Sequence, residues 1–112
     1  MRTIEKLLDL PGRVYVYLGS KQISRQFLRD AEREGFTYGD GMKPTRRKPD
    51  SIMALNHDRT INFVGYIGHM AFQGAEKIGD AKLIRVDYSE YIRGSEHYLM
   101  KQKSFPRDVT WI

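Results

Sequence analysis

The chain has 112 residues, the length of one domain. A domain of this size buries roughly two-thirds of its unfolded surface around one modest core, so two lobes with a substrate cleft between them are excluded. Lys and Arg number 19 against 14 Asp and Glu, a formal charge of +5, and there is no Cys. Disulfides, thiolate metal sites and Cys nucleophiles are therefore excluded, and the charge suggests an anionic partner.

Residues 3–9, TIEKLLD, read as a short helix stopped by Pro11-Gly12, because proline cannot continue a helix. The start of the chain, MRTIEKLLDLPGR, interrupts its apolar residues with charges and lacks a signal-peptide core. No apolar run approaches the roughly 18 residues of a membrane span. A soluble, cytoplasmic protein is expected. Residues 13–18, RVYVYL, are β-branched and aromatic and read as a strand, with Val14 and Val16 on one face and Tyr15 and Tyr17 on the other.

Residues 20–34 carry the firmest helix signal. Ser20 can accept hydrogen bonds from the first free amides. Ile23, Phe27, Leu28 and Ala31 form an apolar stripe, and Gly35 stands where a left-handed residue ends a helix. Residues 36–50 hold Gly39-Asp40-Gly41 and two prolines and read as an irregular loop. SIMALN and TINFVG flank His57-Asp58-Arg59 and read as a hairpin. Residues 65–75 are ambiguous: their glycines fit a strand edge, a loop or a close backbone approach. Residues 81–86 read as a strand and 87–94 as a helical turn capped by Asp87 or Ser89. Residues 95–112 begin amphipathic and continue extended around Pro106. The expected fold is one α+β domain over residues 1–112, with a mostly antiparallel sheet, one main helix (20–34) and short helices.

Three groups of residues could carry chemistry. Arg25, Arg29 and Arg33 recur at i, i+4 and i+8 along one helix face, where Arg29 can also pair with Glu32; a solvated charged face is the plain alternative. The loop Lys43-Pro44-Thr45-Arg46-Arg47-Lys48-Pro49 places four cations in seven residues. Its prolines lower the entropy lost on binding, and guanidinium forks suit phosphate. Finally, Asn56, His57, Asp58, Arg59, Asn62, Phe63, Tyr66, His69 and Phe72 bring together ribose-type partners, a phosphate-type cation and rings able to stack a base. Their plain alternative is an Asx-type turn with Phe63 and Phe72 in the core.

Enzyme templates are not met. There is no P-loop, no G-x-S-x-G and no HExxH among the three histidines. No metal site and no cofactor are expected. A hydrolase using His57 or His69 is the weakest alternative. Nucleic-acid binding fits the pI of 9.6, but no helix-turn-helix, RNP or zinc-finger signature is present.

The stretch GFTYGDGMKPTRRKPDSIMALNHDRTINFVGYIGHMAF, residues 35–72, resembles small phage and prophage proteins of Gram-positive bacteria, and within them the Thoeris anti-defence family, first type. That resemblance implies a non-enzymatic sponge that holds a cyclic ADP-ribose isomer made by a TIR defence enzyme, and in some members cyclic oligonucleotides. It also implies homo-oligomers with pockets between protomers. On chemical grounds the ligand-binding set is Arg25, Arg46, Arg47, Asn56, Arg59, Asn62, Phe63, Tyr66, His69 and Phe72. The alternative function is a small basic phage protein that binds nucleic acid or inhibits a host protein handling it.

Overall fold

In the computed structural model, residues 2–100 are described; the expected extended segment around Pro106 lies outside them. The chain forms an α+β domain built on a mixed sheet. Strand β1 (Arg13–Tyr17) is central. It pairs antiparallel with β3 (Ile52–Leu55) and parallel with β6 (Ala81–Asp87). Beyond β3 lies β4 (Thr60–Phe63), antiparallel, and then β2 (Thr37–Tyr38), parallel to β4. Strands β5 (Lys77–Ile78) and β7 (Leu99–Met100) both pair antiparallel with β6. Four of these six pairings are antiparallel, as the sequence suggests.

The alternation along β1 separates two cores. Val14 and Val16 join the larger one with Ile4 and Leu7 of α1 (Ile4–Leu7), Phe27, Leu28 and Ala31 of α2 (Lys21–Arg33), and Tyr88 and Tyr91 of α4 (Tyr88–Ile92). Tyr15 joins a smaller core with Ile52, Ala54, Leu83 and Phe72, against which Tyr17 packs. Phe72 comes from α3 (Gly65–Gly74), so helices cover both faces of the sheet.

Helix α2 follows from its sequence. The Ser20 hydroxyl accepts from the Ile23 amide at 3.2 Å. At the other end Gly35 adopts φ +86°, and the Gly35 and Phe36 amides donate to the Glu32 and Ala31 carbonyls. This is a Schellman ending, with Phe36 delivered into the core. The turn at 57–59 also forms as read: the Asn56 amide donates to the Thr60 carbonyl, and the Arg59 amide to that of Asn56.

Two segments differ from expectation. Residues 36–50 are less irregular, containing β2 and a 3-10 turn at Pro44–Arg46. The ambiguous stretch 65–75 is a helix despite three glycines. Gly68 meets the close-approach requirement, since a Cβ there would lie 2.4 Å from the Val64 Cβ. The carbonyls at the end of α3 are capped by an unexpected group. Arg85, 4% exposed, donates to the carbonyls of Phe72, Ala75 and, at 3.3 Å, Ala71. Its cation also sits at the negative end of the helix dipole. Desolvation lowers its pKa from the ordinary arginine value, and it remains protonated at neutral pH.

Candidate anion-binding site

The 3-10 turn at 44–46 packs against α2. The clasp is Glu32, whose carboxylate accepts from the Thr45 hydroxyl at 2.7 Å and the Thr45 amide at 3.2 Å. Those two hydrogen bonds, helped by the nearby charges of Lys43 and Arg46, hold the Glu32 carboxyl below its ordinary pKa. Glu32 therefore holds the loop rather than pairing with Arg29, which donates instead to the Gln26 side chain at 3.2 Å.

Docking of this loop creates a groove of about 500 Å³. Arg25 and Arg29 line it from α2, and Arg46, Arg47 and Lys48 from the loop. None of its lining residues is a carboxylate. Arg47 is oriented from outside the groove. Its guanidinium pairs with Asp40 and lies 4.6 Å from the centroid of the Tyr38 ring. The Asp40 carboxyl is held below its ordinary pKa, first by the Met42 amide and then by Arg47. Arg25 and Lys48 have no hydrogen-bond or ion-pair partner among the described residues. Like charges gathered in this way repel, and a multiply charged anion relieves the repulsion.

The row Arg25–Arg29–Arg33 does not stay together. Each i, i+4 step turns about 40° further around the helix. Arg33 therefore faces a second groove of about 690 Å³, on the α4 side of α2, lined also by Arg2, Lys6 and Arg93. At its floor the buried Asp30 pairs with Arg33 at 3.0 Å and accepts from the Tyr88 hydroxyl at 2.5 Å and from Gln26 at 2.8 Å. Burial first, and then Asp30, push the Tyr88 pKa far above its ordinary value.

Of the residues singled out in the sequence, Arg25, Arg46 and Arg47 converge in the first groove. Phe63 connects to it indirectly. Its ring, 39% exposed, stacks on Tyr38 at 5.5 Å, and Tyr38 underlies Arg47. Tyr66 is 72% exposed on α3. Asn56 and Asn62 bond to one another at 2.9 Å, and Asn56 also donates to Thr60 at 3.0 Å. His69 pairs with Asp50 at 3.3 Å.

One assignment is corrected, and a second residue, Arg59, has a structural part. Phe72 is 2% exposed in the smaller core, beside Tyr17 at 6.1 Å, so it is not available to stack a base. Arg59 is a structural clasp. Its guanidinium holds the Glu5 carboxylate and the Glu34 carbonyl and lies 5.2 Å from the Phe36 ring centroid, while its backbone adopts φ +66°. These contacts bind the hairpin turn to α1 and to the end of α2.

Sequence reasoning noted Lys48 in the basic loop without placing it in the ligand-binding set, and it missed the second groove, Tyr38 and Arg85. For Arg85 a signal exists: strand alternation puts it on the same face as Leu83, and its neighbours in the middle of that strand, Leu83, Ile84 and Val86, are apolar. No three His, Asp or Glu among the described residues come together to hold a metal ion. No helix of the described residues is long and apolar enough to cross a membrane. No protein-family model, curated protein or solved structure matches the chain.

Proposed function

We propose that the protein binds a phosphorylated small ligand of nucleotide type in the groove between α2 and the 43–49 loop, and holds it without turnover. The observation that carries this reading is the convergence of Arg25, Arg29, Arg46, Arg47 and Lys48 on one groove with no lining carboxylate. Guanidinium groups bind phosphate through paired, charge-assisted hydrogen bonds. A volume of about 500 Å³ falls within the range of small-ligand sites. The nearest aromatic path runs through Tyr38 to Phe63, which offers a partly exposed ring for a base.

The finer form of the proposal rests on the resemblance of residues 35–72. The protein is then a phage-encoded sponge for a cyclic nucleotide immune signal, a cyclic ADP-ribose isomer or a cyclic oligonucleotide. It acts in the host bacterial cytoplasm as an inhibitor of TIR signalling. An open groove on a 112-residue chain encloses little of such a ligand, so a homo-oligomer that closes it belongs to the same proposal.

Calorimetry with cyclic ADP-ribose isomers and cyclic oligonucleotides tests the reading. Binding is expected, with intact ligand recovered after heat denaturation and affinity falling about tenfold or more in Arg46→Ala, as expected for loss of a charge-assisted contact. Absence of heat from a folded sample with every ligand refutes it, and a converted ligand refutes the sponge.

A further inference from the structure

We infer that α2 is a docking helix for B-form DNA, its exposed face entering the major groove while the cationic grooves on either side meet the two phosphate strands. Helix α2 lies between two cationic grooves. Lys21, Gln22, Arg25 and Arg29 are exposed along α2. On one side the loop adds Arg46, Arg47 and Lys48; on the other, Lys6, Arg33 and Arg93 border the second groove. The 3-10 turn of the loop and α4 both pack on the helix, so the backbones that carry Arg46 and Arg93 are anchored beside it.

The dimensions agree. A helix with its side chains is about 10–12 Å across, and the DNA major groove is about 12 Å wide. Phosphates of both strands then run along the two sides of the helix. The residues on the exposed face of α2 are of the types that read base edges, Arg toward guanine and Gln toward adenine. The duplex RNA major groove is too deep and narrow to admit the same helix.

The carboxylates of this face are already engaged. Asp30 is buried under Arg33, Glu32 holds Thr45, and Glu90 lies 3.5 Å from Arg93. By contrast Lys6, Lys21, Arg25 and Lys48 have no ion-pair partner among the described residues. A small ligand in the first groove leaves Lys6, across the helix, without an anionic partner, whereas a duplex spans both grooves.

Fluorescence anisotropy of the full chain with a labelled 20-base-pair DNA duplex decides the matter. Single-stranded DNA and duplex RNA of the same length serve as competitors. Duplex DNA is expected to bind best at 50 mM salt, with affinity falling about 100-fold or more by 200 mM salt, as engagement of several phosphates requires. The exposed double variant Lys6→Glu, Arg93→Glu leaves the first groove intact. It is expected to lower DNA affinity at least tenfold while leaving binding of a small cyclic nucleotide unchanged, with folding checked by circular dichroism. No duplex binding at 50 mM salt overturns the inference. So does equal affinity for single strands or duplex RNA, or full affinity in the double variant. Failure of the calorimetric test with cyclic nucleotides bears on the small-ligand proposal alone.

Discussion

Arg46 and Arg59 both sit on turns of a basic, polar segment, yet they do opposite work. The Arg46 turn is held from beneath by Glu32 and Thr45, which leaves its guanidinium facing a groove of other cations. The Arg59 turn uses the guanidinium itself as the fastener, binding Glu5, the Glu34 carbonyl and the face of Phe36. The identity of an arginine in a loop does not tell which role it takes. What tells is whether another group already holds the loop. A turn with its own anchor leaves its cation free for a ligand, and a turn without one uses the cation as the anchor.

The sharpest control on this contrast is a residue of the core. Phe27→Ala removes a fully buried ring that meets Tyr88 edge-on at 5.2 Å, and should cost about 3–5 kcal/mol in a denaturant titration. Arg59→Ala should follow at about 1–3 kcal/mol, because it loses charge-assisted hydrogen bonds and leaves alanine in a left-handed conformation. Arg59→Gly loses the same contacts but relieves the backbone, so it should be more stable than Arg59→Ala by about 1 kcal/mol. If the two variants unfold together, the left-handed turn is not under strain. Arg46→Ala should change stability by no more than about 0.5 kcal/mol, the range of a surface substitution. A larger loss would erase the distinction between the two turns.

The smallest effect is in pH. Glu32 and Asp40, the carboxylates that fasten the loop, have folded-state pKa values below their ordinary ones. Their contribution is therefore present above the ordinary carboxylate pKa and is lost as pH falls through the lower folded values. Amide NMR signals of Thr45 and Met42 should hold steady through mildly acidic pH and move only once the solution is acid enough to protonate these groups. Movement already near neutrality would contradict this assignment of the loop's anchors.

Much of the frame is legible in the sequence, and the reasons are local. Ser20 and Gly35 mark the ends of α2 through hydrogen bonds within a few residues. The alternation of Val14, Tyr15, Val16 and Tyr17 assigns each residue to the core it occupies. Helix α3 is not legible, because its three glycines lower helix propensity and its capping group, Arg85, comes from a separate strand, ten residues past Ala75. Phe72 follows from the same gap: once 65–74 is a helix on the second face of the sheet, its ring belongs inside. Of the candidate site, the part made by two neighbouring segments is readable, since Arg25 and the basic loop are both conspicuous. The second groove is not, because it joins Arg2 and Lys6 to Arg93 from opposite ends of the described chain.

Glu34 has a consequence for the order of folding. Its two carboxylate oxygens each accept a backbone amide, from Ile4 and Glu5, at 2.9 Å. A four-residue helix is far too short to nucleate alone, so α1 depends on a partner about thirty residues away in the chain. That partner is in place only after the end of α2 has closed on Gly35. Helix α1 should thus be among the last elements to form and the first to open. In native-state hydrogen exchange, the Ile4 and Glu5 amides should lose their deuterium protection well before those of β1.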